Sequence, residues 1–84
     1  SYTIDTLKEL SEIYDDFDIY FIVGTDAVAE IPSWERASGL LYYCCFVAAT
    51  RPGFDSAVAK VIDFFGSEAR GKIIQLDTPE LEIT

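Results

Sequence analysis

The chain has 84 residues, half of them apolar, and a formal net charge of −9 from six basic and fifteen acidic side chains. That length allows one small domain with a modest core. The charge excludes a partner held through its nucleic-acid backbone, which demands a basic face. No apolar run approaches the roughly 20 residues of a membrane span, and nothing here reads as a secretory leader, so a cytoplasmic setting is expected.

Histidine is absent, which removes the commonest general base and metal ligand. Cys44 and Cys45 are adjacent within an apolar run and are expected to be reduced core residues. Methionine is also absent, and the alternating stretch Leu81-Glu82-Ile83-Thr84 breaks off in mid-pattern. A fragment of something longer is expected.

In chain order, Thr3 caps a first helix with Asp5 in its first turn; Thr6 with Glu9 offers a second start one turn later. Ile4, Leu7, Leu10 and Tyr14 form its buried stripe. A strand over 19–23 follows, apolar throughout, as a strand covered on both faces would be. It stops at Gly24, with Thr25 and Asp26 in the turn. A glycine there lets a ligand approach the backbone.

Pro32 and Ser33 introduce a second helix over 33–43, which starts at Trp34. Cys45–Thr50 is the second strand, broken by Arg51-Pro52-Gly53. Asp55 or Ser56 caps a third helix with Val58, Val61, Ile62 and Phe65 buried, ended by Gly66. The third strand covers 72–76, closed by Asp77-Thr78-Pro79. Strands separated by helices imply a parallel sheet with right-handed crossovers. The three post-strand turns then share one rim, together with Trp34, where open α/β sheets bind ligands.

Each residue has a plainer reading. Trp34 serves as a core aromatic, Asp26 as a cap of the following turn, Arg51 as a solvated loop side chain, Gly24 and Asp77 as turn residues. Thr3 gives its hydroxyl either to the backbone or to a ligand. Tyr42 and Tyr43 are packing, and Glu9 and Glu12 solvated surface.

Four segments carry a resemblance: Ser1-Tyr2-Thr3-Ile4-Asp5-Thr6-Leu7, Tyr20-Phe21-Ile22-Val23-Gly24-Thr25-Asp26-Ala27, Pro32-Ser33-Trp34, and Thr50-Arg51-Pro52-Gly53-Phe54. In order and spacing they resemble the bacterial nicotinate mononucleotide adenylyltransferase family, over essentially the whole chain. The resemblance implies a partial Rossmann-like α/β fold of about three parallel strands. It implies an enzyme that transfers the adenylyl group of ATP to nicotinate mononucleotide in NAD biosynthesis, assisted by Mg2+.

By the same resemblance, Thr3, Ile4, Trp34 and Glu35 hold the pyridine mononucleotide. Thr3 and the Glu35 amide take its carboxylate, and Trp34 stacks on the ring. Gly24 and Asp26 contact the mononucleotide and the adenosine side; Arg51 lies near ATP. The family's histidine-bearing phosphate motif and its Ile-Ser-Ser-Thr-x-x-Arg motif are missing, so residues 1–84 are expected to form one partial domain with no catalytic residue and no metal ligand. The chain alone is expected to be inactive. Without the family's first strand, the apolar edge 19–23 is unpaired, and self-association is expected. The alternative is a stand-alone nucleotide-binding or regulatory module.

Overall fold

A computed structural model describes residues 2–77. It holds three helices, α1 (Thr3–Ile13), α2 (Thr25–Glu30) and α3 (Asp55–Phe65), and three strands, β1 (Tyr20–Gly24), β2 (Cys45–Thr50) and β3 (Ile73–Asp77). The strands are all parallel in the order β1-β2-β3. Phe21 lies beside Phe46 and Val23 beside Ala48; on the other side Phe46 lies beside Ile73. The Rossmann-like α/β expectation holds. The expected turn residues Thr78 and Pro79 and the stretch 81–84 lie outside the described residues.

Neighbours in register point to the same side of a sheet, and successive residues to opposite sides. One side carries Phe21, Val23, Phe46 and Ala48. These join a single cluster with Ile4 and Leu7 of α1, Val28 of α2, and Val58, Val61 and Phe65 of α3. The Phe46 ring stands 5.7 Å from that of Phe21 and 6.3 Å from that of Phe65. The other side carries Tyr20, Ile22, Cys45, Val47, Ala49, Ile74 and Leu76. No described helix covers it: Ile22 is 69% and Leu76 51% exposed, while Val47 in the middle strand is buried. The strand 19–23 is therefore covered on one face, not two, because every described helix packs on the same side.

The cap of α1 is Tyr2, whose backbone is extended and whose carbonyl accepts the Asp5 and Thr6 amides. Thr3 is already helical, and no side chain caps the helix. Tyr14 ends α1 and lies half exposed, because the backbone leaves the helix there. The second helix starts at Thr25, directly after β1, and not at Trp34. Residues 33–43 are no α-helix. Two 3₁₀ segments, Ile31–Ser33 and Ala37–Tyr42, flank Arg36, whose left-handed backbone (φ 51°) no right-handed helix accommodates.

In α3 neither Asp55 nor Ser56 is the cap; Phe54 is, and Ile62 is exposed on the margin of the stripe. Gly66 does end it, at φ 65°. Tyr42 is exposed, its ring edge-on to that of Tyr43 at 5.1 Å, while Tyr43 packs against the core. Cys44 is a buried free thiol, and Cys45 is a half-buried one. Among the described residues no helix is long and apolar enough to cross a membrane.

Candidate functional site

The candidate residues fall into two groups, each tied together by contacts of its own. The first joins the start of α1 to the loop at Trp34. The Arg36 guanidinium donates to the Asp5 carboxylate at 2.6 Å. Ile4 is buried, and its Cδ1 lies 3.3 Å from where a Cβ on Gly39 would stand. That residue-free space lets the loop close over α1.

Thr3 is the first residue of α1, two positions before Asp5. No hydrogen bond from the Thr3 hydroxyl exists among the described residues, so its service to the backbone as a cap is set aside. Trp34 is extended, its amide donating to the Ile31 carbonyl at 3.1 Å. Its ring is half-buried, 6.2 Å from Phe21 and 6.5 Å from Phe46. Those are the second residues of their strands, about 10 Å (Phe21) and about 13 Å (Phe46) along from the strand ends at 3.3 Å per residue. Among the described residues no hydrogen bond or ring contact joins Trp34 to the carboxyl rim. Glu35 beside it is exposed.

The second group is that rim. The Arg51 amide donates to the Thr25 hydroxyl at 3.3 Å, tying the exit of β2 to the exit of β1. The Arg51 guanidinium lies over the Phe54 ring, 5.2 Å from its centroid. Asp26 stands in the first turn of α2, and Asp77 ends β3 beside Thr50. Gly24 has an extended backbone (φ −85°, ψ 179°), and a Cβ placed on it would meet nothing within 4 Å. Neither its conformation nor its packing within this chain requires glycine. What a bare Cα offers there is open access to the strand end.

Sequence reading passed over Thr25, Arg36 and Gln75. The Gln75 side-chain amide donates to Asp55 at 2.7 Å and, more weakly, to Thr50 at 3.5 Å. The signal for Thr25 was its place beside Gly24. For Gln75, a polar residue on the core side of a strand was the only hint. Among the described residues no group of three or more carboxylates, cysteines or histidines could hold a metal ion.

A parallel sheet with one helix after β1 and another after β2, and polar residues at the strand ends, is the arrangement of Rossmann-like nucleotidyltransferases. The relatives agree. The chain is 42% identical over its full length to a protein of Thermoanaerobacter sp. (strain X514), and 38% identical over its full length to one of Moorella thermoacetica. Both are described as probable nicotinate-nucleotide adenylyltransferases. It spans 41% and 40% of them, about two fifths of their length.

The nicotinic acid mononucleotide adenylyltransferase of Plasmodium falciparum, solved with APC, superposes with a TM-score of 0.69 at 25% identity. That match covers 98% of this chain and 38% of that one. The same protein solved with NaAD superposes equally well. No family model matches the chain. The chain belongs to the nicotinate-nucleotide adenylyltransferase family.

Proposed function

We propose that these residues form the mononucleotide-binding part of an enzyme that adenylylates nicotinate mononucleotide. The phosphate oxygen of the mononucleotide attacks the α-phosphorus of ATP. A new P–O bond forms, the bond to the β-phosphate's bridging oxygen breaks, and pyrophosphate leaves with deamido-NAD as the other product. The setting is the cytoplasm, and residues 1–84 are one partial domain of that enzyme.

The observation that supports this reading is the Asp5–Arg36 contact, which ties the start of α1, where Thr3 lies, to the loop that holds Trp34 and Glu35. Thr3 and the Glu35 amide take the pyridine carboxylate, with the backbone at Ile4 beside them, and Trp34 offers its ring. Gly24 and Asp26 meet the mononucleotide and the adenosine side, and Arg51 faces ATP. Such a site works by holding two reactants in line and offsetting charge. Mg2+ accompanies the triphosphate in this reading. Among the described residues no donor set for it is gathered. Six basic side chains against fifteen acidic ones leave the 84 residues alone too poor in cations for transfer.

The test is Thr3→Val in the full-length protein, with both mononucleotides titrated. Loss of a hydrogen bond to a carboxylate predicts about ten-fold weaker nicotinate binding and little change for the nicotinamide form. Equal losses for the two would overturn the assignment of Thr3, and no nicotinate mononucleotide binding by the unaltered protein would overturn the function.

A further inference from the structure

We infer that Gln75 and Phe54 are positioning residues that hold the Arg51 loop in the orientation that meets ATP. This rests on the adenylyltransferase reading and adds residues that it does not assign. The loop 51–54 turns at Pro52-Gly53, with Gly53 at φ 94°, so its local bend is set by its own residues, whereas its orientation against the sheet is set from outside. Three contacts impose it. At its entry the Arg51 amide is bound by the Thr25 hydroxyl, fixing the peptide from which the guanidinium extends. Within it, the Phe54 ring carries that guanidinium at 5.2 Å, within cation–π range. At its exit, Asp55 is the first residue of α3, and its carboxylate accepts the Gln75 amide at 2.7 Å.

Gln75 belongs to β3, the strand on the far side of β2 from Thr25. It also reaches the buried Thr50, the residue that precedes Arg51. The loop is thus clamped between both neighbours of its own strand. Without the Gln75 bond the Asp55 carboxylate would stand free beside the loop, repelling a triphosphate. Engaged by the Gln75 amide, its oxygen is turned to the sheet. The single guanidinium of the loop is left to face an anion from a fixed platform.

The experiment uses the full-length protein and measures turnover alongside direct ATP binding. Gln75→Glu places a carboxylate against Asp55, pushing the exit of the loop away. The KM for ATP is expected to rise about ten-fold, as small displacements of an orienting group do, while the KM for nicotinate mononucleotide stays within about two-fold. Adding Asp55→Asn to Gln75→Glu restores a donor and an acceptor in reversed order and should return the ATP KM to within about three-fold of the unaltered protein. Phe54→Leu should raise the ATP KM several-fold and leave the mononucleotide KM alone. Gln75→Glu with an unchanged ATP KM, both KM values rising together, or no rescue by the double variant would overturn the inference. An unaltered protein that binds ATP without transferring its adenylyl group would overturn the functional reading instead, and ATP affinity would still report on the loop. If it binds no ATP, both fall.

Discussion

Arg36 reaches Asp5 at 2.6 Å across 31 residues of sequence, and it does so from a left-handed backbone that non-glycine residues rarely adopt. The two effects oppose each other. The backbone costs about 1–2 kcal/mol, and an ion pair this exposed, 62% and 50%, recovers about 0.2–1 kcal/mol. Stability alone does not account for arginine at this position.

The first prediction uses that balance. Arg36→Gly relieves the strained backbone but loses the pair and adds about 0.5–1 kcal/mol of unfolded-chain entropy. Unfolding free energy should stay within about 1 kcal/mol of the unaltered value. Mononucleotide affinity should nevertheless fall several-fold, because the Trp34–Arg36 loop is no longer pinned to α1. Urea melts and calorimetric titration of the full-length protein check the two halves; a large stability loss with intact affinity would reverse the assignment.

Trp34, the sole tryptophan, reports on its own role. Stacking on a pyridine ring should quench its emission when nicotinate mononucleotide is added. Trp34→Ala should weaken binding about ten-fold, the equivalent of 1.4 kcal/mol. Because the ring is half-buried against Phe21 and Phe46, the same change should lower stability by about 2 kcal/mol, short of the 3–5 of a fully buried aromatic. Lower stability with unaltered affinity would leave Trp34 a packing residue.

The helix and strand boundaries show what a sequence discloses. Cys45–Thr50 was legible to the residue, because an uninterrupted apolar run between a tyrosine pair and Arg51-Pro52-Gly53 has one reading. The segment after Gly24 was not. Thr25–Glu30 is too short to display a helical period, and the left-handed turn at Arg36 has no glycine to announce it. Tyr42 and Ile62 sit at plausible spacings, yet both are exposed, Ile62 on the margin of the α3 stripe. For the site, Thr3, Trp34 and Arg51 were marked by resemblance, whereas Thr25 and Gln75 act through tertiary contacts that no local pattern encodes.

The cysteines differ by one position and by side of the sheet. Burial, reinforced by the neighbouring Cys45 and partly offset by Lys72, pushes the Cys44 thiol from 9.0 up to about 12. The folded state therefore keeps a proton that the unfolded chain releases first. This contribution to stability is fully present below pH 9.0 and is lost as pH rises towards about 12. At mildly alkaline pH, iodoacetamide should alkylate Cys45 on the bare face and spare Cys44 until the protein is unfolded. Peptide mapping that finds Cys44 modified first would contradict the burial pattern.

The bare face predicts association of the 84-residue chain. Ile22, Ile74 and Leu76 give it an exposed apolar surface, and β1 has an open side among the described residues. Edges of this kind pair with other chains. Light scattering during size exclusion should show dimers or larger species, and Ile22→Lys should shift them towards monomer. A monomer at high micromolar concentration before any substitution would refute the expectation.

Because β2 lies between its two neighbours, its peptide groups turn alternately to either side. The Cys45 amide donates to Ile19 at 2.9 Å and the Phe46 amide to Lys72 at 2.8 Å. Every amide along β2 is thus locked from one flank or the other, and solvent deuterium enters it only when the sheet parts. Along β1, by contrast, only alternate amides face β2. Deuterium uptake would therefore be uniformly slow down the middle strand and periodic along the outer one, a two-residue rhythm of fast and slow exchange written by the pleat itself.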